Sequence, residues 1–349
     1  MKESLLCFVL LALLSCNPPQ EDFSKGFKSD TVIGISHEDH LISNTLLSPR
    51  IVQQSNGTEL LVTFDVITKS LVLFDLTNEN IHSVINLKDD KKDLSRLLTF
   101  TVLNQDSILV QNFQDYAIID FTGNLIDYFN PKVFFEASGF NPDEYLYDII
   151  RGQSYNAEKR ELYVRIKRLG RSVSRNDSLV MALNFNDRTA KKLPIFYDSE
   201  FPAEYLEVMN SHLNLLSLGD SLLYNFEFSS SLYTFKEDGT RKVPVSSEFT
   251  ADLAEPQILS KSVMVNEYLN YREVLWDSSH ELFYQVHHTE TDNVRKPYLR
   301  VFNANLDKEF EIALVGNLFP MPTIGKAGVY FIDKQNEEEG LLKLRLYRF

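Results

Sequence analysis

The stretch Asp106-Ser-Ile-Leu-Val-Gln-Asn-Phe-Gln-Asp-Tyr-Ala-Ile-Ile-Asp-Phe-Thr-Gly123 reads as two β-strands joined by a short turn, and a third strand follows at Leu125–Phe129. Looser copies recur along the chain. Their second strands open at Glu59, Ser107, Glu161, Ser221, Glu281 and Gly328, roughly 47 to 60 residues apart. A four-stranded propeller blade repeats every ~40–50 residues, with room for longer loops. Each second strand leads to another apolar strand and a polar turn, at Phe74-Asp75, Ile119-Asp120, Asn184-Phe185, Phe235-Lys236 and Phe302-Asn303. No long amphipathic helices alternate with these strands, which disfavours an α/β sheet. The expected fold is all-β: a β-propeller of about six four-stranded blades in one domain over residues 31–349. An irregular pair of β-sandwiches is the alternative.

Stacking blades round an axis buries both faces of each sheet, so every blade needs two neighbours. The last unit, Pro322–Phe349, offers three clear strands where the others offer four. Its open edge would expose unpaired backbone groups. A strand within Thr31–Ser43 is therefore expected to pair with the C-terminal blade and close the ring. Ile118 and Phe121 have opposite pleat parity, and Ile118 is expected to pack between blades. Residues 131–145 read as an irregular excursion, and Ala203–Met209 as one or two helical turns.

The N-terminus carries an address rather than structure. Leu5–Leu14 is an apolar segment too short to span a bilayer comfortably. It ends in Leu13-Leu14-Ser15-Cys16, which resembles a bacterial lipobox. By that resemblance residues 1–16 form a lipoprotein signal, and Cys16 becomes the acylated first residue of the mature chain. Cys7 falls in the removed peptide, so the mature chain holds no disulfide. Several acyl chains on one residue anchor stably. Asn17 after the cysteine favours the outer membrane by analogy, facing the periplasm or the cell surface. Residues 17–30, with Pro18-Pro19, have little to bury and read as a flexible tether.

The formal charge of −14 argues against nucleic acid, whose binding needs a basic footprint. One local exception is the basic run that includes Arg165, Lys167, Arg168 and Arg171. It reads either as a patch for an anionic glycan, lipid headgroup or acidic partner, or as charge guarding an edge hairpin. His287-His288-Thr-Glu290-Thr-Asp292 reads as a solvated hairpin end, because adjacent strand residues point to opposite faces and the two histidines cannot easily share a metal. Asp333–Gly340 reads as a charged turn; it lacks the ligand spacing of a calcium loop. No phosphate loop, nucleophile elbow or His-Glu-x-x-His is present, so the sequence names no cofactor, no metal site and no catalytic residue.

The lipobox, the Pro-containing tether and the Leu- and aromatic-rich blades with acidic turns resemble uncharacterised lipoproteins of Gram-negative bacteria, expected to be six-bladed propellers. That resemblance brings no catalytic residues. It implies a non-catalytic binding or scaffold protein, anchored in the membrane by lipid, with an envelope protein or a glycan as partner. A propeller hydrolase or lyase acting on a carbohydrate or lactone, with carboxylates gathered at the axis, is the alternative. Fold alone does not choose between them.

Overall fold

The computed structural model describes residues 28–36, 42, 46–89, 92–93, 99–111, 115–148, 153–170, 172–203, 206, 213–249, 252, 271–291, 294–316, 318, 321–334 and 340–348. Six antiparallel sheets form a six-bladed β-propeller. Blade 1 contains β2 (Leu46–Gln53), β3 (Glu59–Asp65), β4 (Ser70–Asp75) and β5 (Asn80–Asn86). A small hairpin of β6 (Lys88–Asp89) and β7 (Lys92–Asp93) leads to blade 2: β8 (Thr99–Asn104), β9 (Ser107–Gln111), β10 (Tyr116–Asp120) and β11 (Leu125–Phe129). Blade 3 has β12 (Tyr145–Asp148), β13 (Ser154–Asn156), β14 (Glu161–Arg168), β15 (Val180–Asn184) and β16 (Thr189–Leu193). Blade 4 has β17 (Leu213–Leu218), β18 (Ser221–Phe226), β19 (Leu232–Lys236) and β20 (Gly239–Val243). Blade 5 has β21 (Tyr271–Asp277), β22 (Leu282–Thr291), β23 (Val294–Asn303) and β24 (Lys308–Ala313). Blade 6 has β25 (Thr323–Gly325), β26 (Gly328–Ile332) and β27 (Leu341–Arg348), completed by β1 (Lys28–Ser36).

The first strand of each blade lies innermost, and β2, β8, β13, β17, β21 and β25 neighbour one another in a closed circle. In blade 3 the inner position is shared by β12 and β13, which pair with opposite halves of β14. The middle strands read as unbroken apolar runs because neighbouring blades cover both their faces. On β3, Leu60, Val62 and Phe64 pack toward blade 2, while Leu61 packs toward blade 6. Ile118 packs, half-buried, between blades 2 and 3; Ile119 and Phe121 pack between blades 1 and 2.

The hairpin turns share a frame that explains the acidic and amide residues ending so many strands. Asp65, Asp75, Asn156, Asn184 and Asp277 each accept a backbone N–H two or three residues ahead, at 2.8–3.4 Å. Four residues after each of them the chain turns left-handed, at Lys69, Glu79, Arg160, Arg188 and Glu281, with φ between 52° and 58°. The side-chain acceptor replaces backbone bonds that the turn cannot make. Gly328 opens β26 for a different reason: φ is +135°, and a Cβ there would lie 2.1 Å from the Tyr347 carbonyl oxygen.

Ring closure occurs between β1 and β27, antiparallel, from Lys28 opposite Arg348 to Ser36 opposite Leu341. The strand starts at Lys28, inside the stretch that the sequence reads as tether, because Lys28 and Ser29 continue the pairing past a bulge. Two further details differ from the sequence reading. The excursion after blade 2 holds a short helix, α1 (Lys132–Ala137), whose Phe134 and Phe135 fill the core between blades 2 and 3. Six residues with no repeated apolar spacing leave no helical signature. The helical stretch read at 203–209 lies mostly outside the described residues, with Ala203 and Leu206 helical.

Ile35 of β1 is fully buried between blades 6 and 1, whereas Val32 on the same strand is half exposed. Ile35→Ala should therefore lower the unfolding free energy by about 2–5 kcal/mol in denaturant titrations. Val32→Ala should change it by less than about 0.5 kcal/mol. Equal effects at the two positions would mean that β1 does not seal the ring.

Candidate functional site

Each inner position contributes one polar side chain to a chain of contacts round the axis: Arg50, Thr101, Gln153, Asn214, Glu273 and Thr323. Gln153 immediately precedes β13 and the other five stand two to four residues before the end of their strands, so the six form a girdle at similar depth. Arg50 of blade 1 reaches Glu273 of blade 5, Nη2 to Oε1 at 3.0 Å and to Oε2 at 3.2 Å. Blade 6 stands between these two blades, so the pair crosses in front of it. There, Thr323 Oγ1 accepts the Ile51 N–H at 2.8 Å. Gln153 Nε2 donates to Thr101 Oγ1 at 2.9 Å, and Gln111 on β9 donates to Gln153 Oε1 at 2.8 Å. With its amide turned to suit both neighbours, Asn214 donates to Glu227 and accepts the Glu273 N–H, each at 3.3 Å.

These contacts determine what the axis can do. The Glu273 carboxylate is matched by a guanidinium, and the amides satisfy one another. The ion pair is partly solvated, which limits its worth to about 1 kcal/mol or less. The arrangement braces blades across the channel and presents a polar, charge-balanced lining. Among the described residues, no group of three or more His, Cys, Asp or Glu side chains is placed to hold a metal ion.

A second polar concentration occupies the blade 4–blade 5 interface, beyond its apolar portion around Leu223, Val274, Phe283 and Phe302. Gln285, Arg300 and Glu311 stand in register across blade 5, one row from Tyr271, His287 and Tyr298. Arg300 is fully buried, its guanidinium 4.6 Å from the Tyr271 ring and 5.4 Å from the Phe302 ring. It donates to Gln285 Oε1 and to the Ser230 carbonyl (3.2 Å). Burial pulls its pKa down to about 10, against the attraction of Tyr271, Glu311 and Asp252.

His287 is fully enclosed and touches the Glu311 carboxylate through Nε2. Burial lowers the imidazole pKa despite that partner. Near neutral pH it is an uncharged ring donating Nε2–H. For Glu311, burial alone would raise the pKa. Hydrogen bonds from His287, from Ser247 Oγ (2.6 Å) and from the Glu248 N–H (3.3 Å) outweigh it and hold the carboxyl at about 2. The segment after β20 is fastened to blade 5 by these bonds and by Phe249, stacked on Tyr298 at 4.4 Å.

The residues singled out by sequence fall elsewhere. Cys16 and Arg171 lie outside the described residues. Arg165 is buried at 4 % exposure, so it contributes to no surface patch. Lys167 is half-buried, and Arg168 is exposed and bonded to Glu144 at 3.0 Å. Their strand, β14, is interior to its blade rather than an edge. The histidine pair is not a solvated hairpin end. The strands continue to Thr291 and from Val294, which leaves both His287 and His288 buried. Asp333 accepts a 2.6 Å bond from Arg345, while residues 335–339 lie outside the described set. The girdle and the Arg300 row went unread. Their signal was one polar residue inside an apolar run, as in Leu-Asn214-Leu-Leu or Tyr-Leu-Arg300-Val-Phe.

No protein-family model and no curated protein matches the chain. Solved structures do. A member of the DUF4221 family from Bacteroides vulgatus superposes with a TM-score of 0.68 at 17 % identity, over 92 % of this chain and 97 % of the other. A Bacteroides fragilis protein described as a "putative exported protein" gives 0.53 at 11 % identity, over 91 % and 95 %. At these identities the likeness is one of fold.

The folded Glu311 carboxyl titrates below its ordinary value of 4.5. The stability it contributes is therefore present above about pH 4.5 and is lost as pH falls toward 2. Glu311→Gln should be less stable than wild type at neutral pH. The gap should narrow through that acid window, with up to about one proton fewer taken up on unfolding. A gap that stays constant from pH 6 to pH 2.5 in denaturant titrations would assign the stabilisation to another group.

Proposed function

We propose that the protein is a lipid-anchored, non-catalytic binding propeller of the cell envelope, acylated at Cys16 and held at the outer membrane. It engages a protein or glycan partner through one face of its ring. The observation that carries this reading is the distribution of chain ends and connections. The outer strands β1, β5, β11, β16, β20 and β24 all end on one face, where the next inner strands begin, and the sequence between them there runs to 37–45, 87–98, 130–144, 194–212, 244–270 and 314–322. The opposite face has tight turns, such as 54–58, 105–106, 237–238 and 326–327. β1 starts on that tight-turn face, with Lys28 beside Arg348.

A lipid on Cys16, tethered to Lys28, would hold the tight-turn face toward the membrane and turn the long connections away from it. The state of the axis supports binding over hydrolysis, because its carboxylate is engaged by Arg50 rather than poised beside a nucleophile.

Cys16→Ser should abolish acyl labelling and release the protein from the membrane fraction. A photo-crosslinking residue at Phe196 or Val315, both exposed on the long-loop face, should give discrete adducts in intact envelopes. The same residue at Asp106 or Asn305, in tight turns, should not. Adducts from the tight-turn face alone, or unchanged membrane fractionation of the Cys16 variant, would overturn the reading.

A further inference from the structure

A groove of about 600 Å³ lies between blades 3 and 4 and opens on the tight-turn face. It stands apart from the long-loop face invoked above, and the two readings succeed or fail separately. Its origin is local. Across blade 3, Tyr163, Ala182 and Lys191 stand in register, with Tyr163 and Ala182 turned toward blade 4. The alanine between two long side chains leaves a hollow. Leu222 and Phe235, in register on β18 and β19, form the facing wall.

The two walls are fixed to each other. Asn156 Nδ2 donates to the Gly219 carbonyl at 2.7 Å, and the Ser217 N–H donates to Ser154 Oγ at 2.8 Å. The width of the groove is therefore set before anything enters it, which lowers the ordering cost of binding.

The rim alternates in sign. Lys159 meets Asp220 at 3.2 Å across the mouth. Glu161 accepts the Tyr163 hydroxyl at 3.0 Å, which fixes its carboxylate beside the hollow. Lys191 and Glu237 line the groove with exposed side chains that make no hydrogen bond or ion pair among the described residues.

We propose that this groove binds a neutral saccharide of one or two sugar rings. The volume lies in the range of ligand pockets, about 300–1,000 Å³. Two ammonium groups and three carboxylates at the rim nearly balance, which suits neither a polyanion nor a polycation. Interspersed donors and acceptors match a ligand whose hydroxyls both donate and accept. The half-buried Phe235 ring, with the small parts of Leu193 and Leu222 that reach the groove, offers an apolar surface for the C–H face of a pyranose. A fatty acyl chain would have to pass a charged rim, and a phosphate ester would meet more carboxylates than cations.

Saturation-transfer NMR on the mature chain tests this, with cellobiose, maltose and N,N′-diacetylchitobiose as the probes. At least one should receive saturation at its ring C–H protons. Its affinity should fall about tenfold or more in Glu161→Ala and in Lys191→Ala, each of which removes a charged hydrogen-bonding group. Asp106→Ala, on the same face but in blade 2, should leave it unchanged. Ala182→Leu should fill the hollow and abolish binding. Should that variant misfold, exposed Lys191 still decides the matter. Saturation of none of the three sugars would overturn the proposal. So would binding indifferent to Glu161 and Lys191, or displacement of the sugar by the tetrapeptide Ala-Lys-Glu-Phe at lower concentration, which would assign the groove to peptide.

Discussion

The pairing of β1 with β27 is the contact on which the rest of the ring depends. Every other blade is a local product, built from consecutive strands: four in blades 1, 2, 4 and 5, and five in blade 3, where β12 and β13 share the inner position. Blade 6 is assembled from both ends of the described chain, and only there does the fold require a distant segment to return. Without β1, the β27 edge would be an open template for other strands. Ile35 would also be missing from the core that joins blades 6 and 1, which includes Leu61, Phe74 and Leu344. A blade buries its two faces only against two neighbours, so loss of one interface exposes both blades beside it. Bringing the ends together costs loop-closure entropy. That cost is offset by the apolar surface that closure buries between blades 6 and 1.

Identical apolar interfaces would leave blade order weakly specified, since any leucine-lined face can meet another. The blade 4–blade 5 interface is different. Arg300, Gln285, His287 and Glu311 are enclosed there, and their partners Ser230 and Ser247 belong to blade 4 and the connection that follows it. Enclosing a guanidinium carries a large desolvation penalty. It is offset by two aromatic faces, two hydrogen-bond acceptors and nearby carboxylates. Placed against an apolar blade, the same row would keep its partners within blade 5 but lose the Ser230 acceptor and the Ser247 donor, leaving buried polar groups unpaired. The interface therefore rejects wrong neighbours as well as fitting the right one.

The blades were legible because each middle strand has both faces covered, so its sequence is an apolar run bounded by turn residues. Glu59–Asp65, Ser107–Gln111 and Gly328–Ile332 are buried almost throughout. The turn frame was half legible: Asp75 and Asn184 could be seen, but not that Glu79 and Arg188 would adopt left-handed backbone. The site residues were not legible, because convergence on an axis is a property of the closed ring. Arg50 and Glu273 are far apart in sequence, and nothing local to either indicates that they meet. Arg165 misled in the opposite way. A basic run suggests a surface, yet strand alternation and the second position in the blade place this side chain inside.

The two faces of the ring differ for a geometric reason that precedes any function. A hairpin turn joins strands about 4.8 Å apart, whereas the passage from an outer strand to the next inner strand crosses about three such spacings, roughly 14 Å. An extended chain covers that in about five residues. Topology alone therefore places the longer connections on one face. It does not require connections as long as 194–212 or 244–270. Part of the second is accounted for locally, because Ser247 and Phe249 fasten it to blade 5. The rest is sequence beyond what closing a ring demands.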